Sequence, residues 1–177
     1  TFMDARMLLS RKQIDAANIP VLFVELETGQ NGTLTPYPGQ GIGQTWLGAD
    51  GATLTLDKGV LMASRGMGND IMGSSSSMPN WTNINDSITY GKKISYLSGN
   101  NMTYTQNFEC KIEKISEKKN VEIWGLSFKV KQYSESCSYK DKIIKNVYFI
   151  DERNIVRQSH QYHSETLGFI FTQRIER

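Results

Sequence analysis

Short runs of alternating apolar and polar residues, each ending in a turn signal, define residues 46–68. The first run ends at an Asp-Gly dipeptide, the second covers 52–56 with Ala and Leu alternating against Thr, and the third covers 60–64. A period of two is typical of a strand with one buried face. The Asp-Gly and Lys-Gly dipeptides supply the positive φ angles that tight hairpin turns need. This stretch therefore predicts three short antiparallel strands.

The helical pattern is confined to residues 1–19, where apolar residues recur at roughly helical spacing. Asp4 or Ser10 could cap a helical turn, because both side chains accept hydrogen bonds from backbone N–H groups. An Ile-Pro dipeptide follows Asn18, and the residue before a proline resists the α region. The sequence therefore predicts a short N-terminal helix that ends here and leads into a strand over 20–28.

Longer strands with short connections follow from residue 88 onward, as in an antiparallel meander. A Glu-Lys-Lys-Asn sequence at 117–120 predicts the hairpin turn between two of these strands. The apolar positions change parity at Trp124-Gly125, which predicts a bulge or a sheet bend. The strands after residue 30 are expected at 33–37, 92–97, 101–114, 121–139, 145–150, 155–162 and 166–175.

A serine-rich stretch at 73–77 has the low complexity of a linker. A helical turn is predicted just before it, over 67–72, and a polar loop continues to residue 85. A chain of 177 residues suits one domain with its own hydrophobic core. We therefore expect a single domain over 1–177, in which 73–85 is the best candidate for a boundary between two lobes.

Composition excludes several classes of protein. The net charge is +2 and the hydrophobic content is 38%, so bulk charge gives no reason to expect nucleic-acid binding. No run of eighteen apolar residues predicts a transmembrane helix. The chain begins with Thr and not with Met, so we expect upstream residues, and with them any export signal or lipid anchor.

Candidate chemistry is sparse in this sequence. His160 and His163 are the only histidines, and on a predicted strand they would point to opposite faces, so a shared metal ion is not expected. The glycine-rich loop at 36–43 is followed by a strand-like segment and not by a helix, which disfavours a phosphate site. No nucleophile elbow is present. We expect no catalytic residue, no metal and no cofactor.

The two cysteines leave two interpretations open. Cys110 and Cys137 fit either one disulfide in an oxidising compartment or two unrelated buried thiols. Around a turn at 117–120 their offsets do not match. A bridge would therefore need a bend, a slipped register or an intervening strand.

Two stretches of the sequence carry an ordered set of motifs. The first, 46–70, contains a Trp, an Asp-Gly, a Gly-x-Leu and a Ser-x-Gly; the second, 146–161, contains Asn-x-Tyr-Phe-x-Asp and then Ile-Val-x-x-Ser-x-Gln. Together they resemble the YjbF/GfcB-type lipoproteins of group 4 capsule and related exopolysaccharide loci. The positions that carry the resemblance are Trp46, Asp50, Gly51, Gly59, Ser64, Gly66, Asn146, Tyr148, Asp151, Ser159 and Gln161.

Three positions depart from the family pattern. Phe149 and Arg157 stand where that family often has Trp, and Asn154 stands where it often has Gly. The departures fall on strands and turns, so the resemblance still implies the same fold.

The resemblance implies the mature part of a periplasmic lipoprotein of a Gram-negative bacterium, anchored to the outer membrane by an upstream lipidated cysteine. It implies a mainly β fold, an antiparallel meander sheet curved into an open or half barrel with a short N-terminal helix. It further implies a non-enzymatic role in assembly or export of capsule or exopolysaccharide. The implied partners are the surface polysaccharide or other secretion-locus proteins, and no nucleic acid. An oxidising periplasm also favours a Cys110–Cys137 disulfide.

Aromatic residues are the candidate contacts to a glycan or a partner. Trp46, Trp81 and Tyr148 would suit stacking on sugar rings if they were exposed. Burial in the core is the simpler interpretation, because aromatic side chains dominate burial.

Two other functions remain open. A lipid or lipoprotein carrier would need a continuous apolar hollow on the concave face of the sheet. A glycan-acting enzyme would need two carboxylates facing each other across a cleft. The acids considered for that role are Asp50, Asp151 and Glu152.

Overall fold

The computed structural model describes residues 3–39 and 41–177. Its fold is mainly antiparallel β, as expected, with twelve strands in one sheet. The helices are α1 Ala5–Leu8 and α2 Arg11–Ala17, and a 3₁₀ turn covers Trp81–Asn83. The strands are β1 Leu22–Leu26, β2 Asn31–Tyr37, β3 Gln44–Gly48, β4 Thr53–Asp57, β5 Val60–Arg65, β6 Ile71–Ser76, β7 Ser87–Leu97, β8 Thr103–Ile123, β9 Leu126–Tyr139, β10 Lys142–Asp151, β11 Val156–Ser164 and β12 Gly168–Arg174.

The predicted N-terminal helix is divided into two short helices. The Asp4 side chain accepts a hydrogen bond from the N–H of Arg6 and caps α1. Ser10 caps α2 and forms a capping box with Gln13. Asn18 ends α2 in the left-handed conformation. Both predicted caps and the predicted end of the helical segment are therefore confirmed. Neither helix in the described part of the chain is long and apolar enough to cross a membrane.

The sheet closes further than the expected half barrel. Its strand order is β5-β4-β3-β2-β1-β12-β11-β10-β9-β8-β7-β6. The outermost strands, β5 and β6, are consecutive in sequence and lie next to each other. The result is a nearly closed barrel with a seam between β5 and β6.

Antiparallel alternation sends successive connections to opposite ends of the barrel. We call one end the N-terminal rim. It comprises the β1–β2, β3–β4, β5–β6, β7–β8, β9–β10 and β11–β12 connections, together with α1, where the N–H of Ala5 donates to Oδ1 of Asn31 over 2.9 Å. The other end is the C-terminal rim. It comprises the β2–β3, β4–β5, β6–β7, β8–β9 and β10–β11 connections and residues 175–177.

The three strands predicted within 46–68 are confirmed as β3, β4 and β5. Both predicted turns contain residues with positive φ. Gly51 has φ 85°, while Lys58 and Gly59 have φ 49° and 84° and connect β4 to β5 directly.

The prediction for residues 67–77 was wrong. Instead of a helical turn and a linker, most of this segment is strand β6, Ile71–Ser76, paired with β7. Ser74, Ser75 and Ser76 lie in the outermost strand, where partly solvated polar side chains are tolerated. Pairing with β7 therefore overrides the weak local preference of serine.

The turn predicted at 117–120 was also wrong. Strand β8 runs through these residues to Ile123, and the chain reverses at Trp124-Gly125, with φ 48° and 80°. The parity change at that dipeptide marks the hairpin turn itself and not a bulge. With the turn at 124–125 the two cysteines lie at nearly equal distances from it, and the register shifts between Lys114 and Lys119 absorb the difference that remains.

Apolar side chains form clusters on both faces of the sheet. The larger cluster fills the barrel and includes Leu22, Leu54, Ile71 and Ile112. A smaller one lies on the outer face, where α1 and α2 cover Phe23 and its neighbours. Helices α1 and α2 therefore cover part of the outer face of the sheet and do not contribute to the cluster inside the barrel.

Candidate functional site

A buried carboxylate lies at the centre of the barrel. The side chain of Glu135 has no solvent exposure, and it forms an ion pair with the buried Lys92. Its Oε1 also accepts from the hydroxyl of Tyr90. Its Oε2 accepts from Nδ2 of Asn146 over 2.8 Å and from the hydroxyl of Tyr148 over 2.9 Å. The carboxylate is therefore surrounded by donors.

These donors decide the ionisation of Glu135. Burial alone would raise the pKa of this carboxyl, but the Lys92 ammonium and the hydrogen bonds from Asn146, Lys92 and Tyr90 outweigh it and hold the pKa below its usual value. Burial and the neighbouring Glu135 charge raise the pKa of both Tyr90 and Tyr148. Both tyrosines therefore stay protonated and continue to donate.

The network continues through Gln161 to the β4–β5 turn. Oε1 of Gln161 accepts from the N–H of Leu61 over 2.9 Å, and it lies 3.3 Å from the hydroxyl oxygen of Tyr148. Its Nε2 donates to the carbonyl of Gly59 and to Oγ of Ser159, both over 2.8 Å. One amide side chain thus fastens the β4–β5 hairpin to β11.

Gly59 permits this close approach. A Cβ at that position would lie 2.3 Å from Cγ2 of Val156, and the backbone there has φ 84°. Only glycine fits both the conformation and the contact. The motif residue Gly59 therefore has a packing role at the C-terminal rim.

A second polar cluster holds the seam between β5 and β6. Oγ of Ser64 accepts from the N–H of Ile71 over 2.9 Å, and it lies 3.1 Å from Oδ1 of Asp70 and 2.9 Å from Nε2 of His163. Nδ1 of His163 lies 3.0 Å from Oγ of Ser164. All four polar side chains are buried. The seam is closed here by side chains in place of a backbone ladder.

The Ser64, His163 and Asp70 side chains have the composition of a hydrolase triad, but their hydrogen bonds run differently. Asp70 contacts the serine and not the histidine, so the serine hydroxyl donates to the carboxylate. We assign the Nε2–H tautomer to His163, which then donates to Ser64. In a triad the imidazole must accept the serine proton and be oriented by the acid. The hydrogen bonds of this cluster therefore differ from those of a triad.

A second buried charge pair lies at the C-terminal rim. Nε of Arg157 donates to Oδ2 of Asp151 over 2.7 Å, and the guanidinium lies 4.3 Å from the ring centroid of Phe128. Oδ1 of Asp151 accepts from the N–H groups of Arg153 and Ile155. The arginine that stands where the family often has tryptophan is therefore fully buried.

The predicted disulfide is formed. Cys110 and Cys137 lie directly opposite each other on β8 and β9, with their Cα atoms 4.0 Å apart. Glu135 lies close enough to share a metal ion with both sulfur atoms. The two sulfur atoms are bonded to each other, and a disulfide does not offer the thiolates that bind metal.

A cavity of about 220 Å³ opens at the C-terminal rim. Trp46 and Arg174 line it, and the guanidinium carbon of Arg174 lies 4.9 Å from the centroid of the indole ring. Nε1 of Trp46 and Nε of Arg174 are buried and have no hydrogen-bond partner among the described residues. Its other lining residues are Leu22, Gly43, Gln44, Leu56, Lys58, Gly59, Asn154, Ile155, Val156 and Thr172.

The three candidate aromatic contacts are all buried, as the simpler interpretation expected. Trp46, Trp81 and Tyr148 are 2%, 4% and 0% exposed. Trp81 packs on Tyr148 with ring centroids 5.1 Å apart. Of the three, Trp46 lines the cavity at the C-terminal rim. Contact between these residues and a glycan stays a prediction.

The remaining sequence candidates lie apart from one another. Asp50 is exposed at the N-terminal rim, next to Gly51, and its side chain accepts from the N–H of Ala52. Asp151 and the exposed Glu152 lie at the C-terminal rim. The N–H of Gly66 donates to Asp70 in the β5–β6 connection.

His160 and His163 lie on different faces, as predicted. His160 is exposed and stacks on Phe169, with ring centroids 4.6 Å apart, while His163 is buried.

Sequence reasoning missed Lys92, Glu135 and His163 as parts of buried networks. One signal was available for the first two. Lys92 on β7 and Glu135 on β9 lie two residues from the buried Tyr90 and Tyr133, so they belong to the buried face of their strands. Each is a charged residue in an otherwise apolar series. A charge at such a position indicates a buried partner.

Comparisons with known proteins agree with this architecture. A family model described as group 4 capsule polysaccharide lipoprotein gfcB, YjbF, matches residues 2–175. The chain belongs to the YjbF family. The crystal structure of the hypothetical lipoprotein YmcC from Escherichia coli (K12) is similar in fold, with a TM-score of 0.85 and 20% sequence identity. The match covers 96% of this chain and 89% of that one. No match was found among curated proteins.

The motif positions of this YjbF chain are concentrated in its interior. Asn146, Tyr148, Ser159 and Gln161 belong to the Glu135 network, and Ser64 belongs to the seam. These YjbF-like motifs therefore hold the fold together.

Proposed function

We propose that this protein is a non-enzymatic periplasmic lipoprotein, anchored to the outer membrane, that binds an acidic polysaccharide during assembly or export of capsule or exopolysaccharide. The supporting observation is the cavity at the C-terminal rim, where Trp46 and Arg174 each have a buried N–H group without a hydrogen-bond partner among the described residues. A buried donor without an acceptor is costly. Neither nitrogen is exposed to solvent, so a ligand oxygen would remove that cost once the two side chains move toward the cavity that they line.

The charges around the cavity favour an anionic sugar. Arg174 and Lys58 line it, and none of its described lining residues is acidic. Glu176 pairs with Arg174 from outside the cavity, and Lys58 donates to the neutral amide of Asn80. A uronic acid carries both the carboxylate that pairs with cations and the hydroxyls that accept from an indole N–H. Because Trp46 is only 2% exposed, recognition would use its N–H and not ring stacking.

The placement of the acidic residues argues against a glycan-acting enzyme. Asp50 lies at the opposite rim from Asp151 and Glu152, whereas a glycosidase needs two carboxyl groups facing one substrate. Glu135 is enclosed by its donors in the interior. A binding role is therefore the simpler one.

The barrel interior also gives little support to a lipid carrier. The cavity between Lys92, Phe108, Asn146 and Gln161 measures about 20 Å³. That space is comparable to one water molecule. A carrier of this fold would have to hold an acyl chain at a rim.

The indole N–H signals of the three tryptophans test the proposal. In a ¹H–¹⁵N spectrum of the ¹⁵N-labelled protein, we expect a glucuronic-acid-containing oligosaccharide to shift the Trp46 signal, because its N–H gains an acceptor. The Trp124 indole is an internal control, since its Nε1 is also buried without a partner but does not line this cavity. Trp46→Phe and Trp124→Phe assign the two signals.

The charge of the ligand provides a second control. Arg174→Gln should weaken binding of the acidic oligosaccharide at least tenfold, because a charge-assisted hydrogen bond is lost. A neutral dextran oligosaccharide of the same length should bind weakly to both proteins. Equal shifts of Trp46 and Trp124, or no shift of Trp46 at saturating oligosaccharide, would contradict the proposal.

A further inference from the structure

Exposed apolar side chains are concentrated at the N-terminal rim. Within residues 3–39 and 41–177, seven of the eleven exposed large apolar side chains belong to α1, to Met3 just before it, or to strand ends and connections at this rim. Exposed apolar groups in such number at one end of a soluble fold indicate an interaction surface. The seven residues are Met3, Met7, Leu8, Met72, Met102, Tyr104 and Ile143.

Local hydrogen bonds hold these side chains in position. The N–H of Met102 donates to Oγ of Ser98, and the N–H of Ser98 donates back to the carbonyl of Met102. The hydroxyl of Tyr104 accepts from Nδ2 of Asn69 over 2.8 Å, which links the β7–β8 connection to the β5–β6 connection. The apolar groups are therefore displayed by an ordered rim.

Helix α1 is fastened to the same rim. The N–H of Ala5 donates to Asn31, and the guanidinium of Arg6 donates to Glu25 over 2.7 Å while lying 4.5 Å from the ring centroid of Phe23. These contacts use the polar groups of the helix. Met7, by contrast, is left 85% exposed.

An apolar groove opens at the N-terminal rim as well. Its volume is about 340 Å³. Gly32 faces it with nothing within 4 Å of where a Cβ would lie. The apolar side chains that line it are Met3, Leu8, Val24, Leu26, Leu34, Leu54 and Met67. The rim thus combines protruding apolar side chains with an apolar recess.

We propose that the N-terminal rim is the face that this protein turns toward a lipid bilayer, with Met7, Met102 and Ile143 entering the interfacial region. The chain belongs to a family of lipoproteins, and lipidation keeps a protein close to a bilayer. The inference is independent of the glycan site, which lies at the opposite rim.

The form of the rim favours lipid over a second copy of the chain. The exposed side chains protrude from separate elements: α1, β6, the β7–β8 hairpin and the start of β10. A protein partner needs a continuous complementary surface, whereas lipid headgroups and acyl chains adapt to separate protrusions. Tyr104, Lys140 and Lys142 all lie at this rim, with Lys142 paired to the exposed Glu165. Aromatic and lysine side chains suit a membrane interface because they reach the headgroups.

Vesicle binding of the 177-residue chain tests this inference. The probe is large unilamellar vesicles of phosphatidylethanolamine and phosphatidylglycerol, and bound protein is measured by flotation. We expect the unmodified chain to float with the vesicles. Ile143→Glu and Met102→Glu should each lower the partition coefficient about tenfold, because a charge replaces an apolar group that enters the interface.

Ile42→Glu is the matched control. Ile42 is 74% exposed at the C-terminal rim and Ile143 is 72% exposed at the N-terminal rim, so the two substitutions cost the folded protein equally little. Failure of the unmodified chain to float, or equal losses for Ile42→Glu and Ile143→Glu, would overturn the inference. Sedimentation that revealed a dimer broken by Met102→Glu would assign the rim to a second copy and overturn it too. Glycan binding should be unchanged in Ile143→Glu and Met102→Glu, whereas Ile42→Glu places a negative charge beside Gly43 and Gln44, which line the glycan cavity, and serves as a control for vesicle binding alone.

Discussion

At the scale of single residues, the interior of this barrel depends on a paired charge. Glu135 and Lys92 are both buried, and each compensates the other. Charges of this kind contribute little net stability as a pair, but removal of one partner leaves an uncompensated buried charge. The pair therefore affects stability mainly through the cost of removing one partner, and less through the attraction between the two charges.

Lys92→Met should lower the free energy of unfolding by about 3 kcal/mol, because the Glu135 carboxylate loses its counter-charge inside the barrel. The measurement is urea denaturation at pH 7. The adjacent Lys93 is exposed, so Lys93→Met is a control that should change the value by no more than about 0.5 kcal/mol. Equal effects of the two substitutions would show that the buried pair is not important for stability.

Some residue roles could be predicted from the sequence and others could not. Asp4, Ser10 and Asn18 act within a few residues of their own backbone, so local rules found them. Glu135 and His163 take their roles from partners on distant strands. Local patterns contain no information on which strand will lie opposite, and for that reason these networks were missed.

At the scale of elements, the β4–β5 hairpin illustrates how a turn is fixed by a distant contact. Gly51 and Gly59 have almost the same φ, 85° and 84°. A Cβ on Gly51 would meet nothing within 4 Å, whereas one on Gly59 would collide with Val156. Substitution of Gly51 therefore tests backbone strain alone, whereas substitution of Gly59 tests backbone strain and close packing together.

Gly51→Ala should cost about 1 kcal/mol of unfolding free energy, from the left-handed conformation alone. Gly59→Ala should cost about 2 kcal/mol more, because it also overpacks the contact with β11. Thermal or urea unfolding of both variants measures the difference. Val156→Ala introduced into Gly59→Ala should recover part of the loss. If both glycine variants lost the same stability, the close approach would have no energetic role.

Most of the strands were predictable, whereas strand β6 and one hairpin were not. Period-two alternation found β3, β4 and β5 because their turns use Asp-Gly and Lys-Gly. The β8–β9 turn uses Trp124-Gly125, and tryptophan is rare at positive φ. The polar residues 117–120 lie on a long exposed strand and imitate a turn. Polar residues are common both on exposed strands and in turns, so the sequence alone could not distinguish an exposed strand from a turn here.

At the scale of the whole molecule, closure of the barrel depends on a titratable group. Burial lowers the pKa of His163 to about 4 from 6.5, although the Asp70 carboxylate acts in the opposite direction. The folded state therefore binds fewer protons than the unfolded state between these two pH values. The resulting stability is complete above about pH 6.5 and is lost as the pH falls toward 4.

From this group we expect the free energy of unfolding to fall by about 2 kcal/mol between pH 7 and pH 5. His163→Gln should remove that part of the pH dependence, whatever its effect on stability at pH 7. The control is His160→Gln, since His160 is exposed on the other face and its loss should leave the slope intact. Denaturation at several pH values gives the slope. An unchanged slope in His163→Gln would contradict the assignment.

The strand order has a consequence for folding. Ten of the eleven ladders join strands that are neighbours in sequence, and the remaining ladder pairs β1 with β12, so that Leu22 lies opposite Arg174. The chain is thus a simple up-and-down meander, in which the first and last strands pair in the middle of the strand order and not at the seam. Almost the whole entropic cost of bringing remote segments together is concentrated in one strand pair. The β1–β12 pair can form only when residues 22–26 meet residues 170–174. The rate of that encounter should therefore limit the rate of folding.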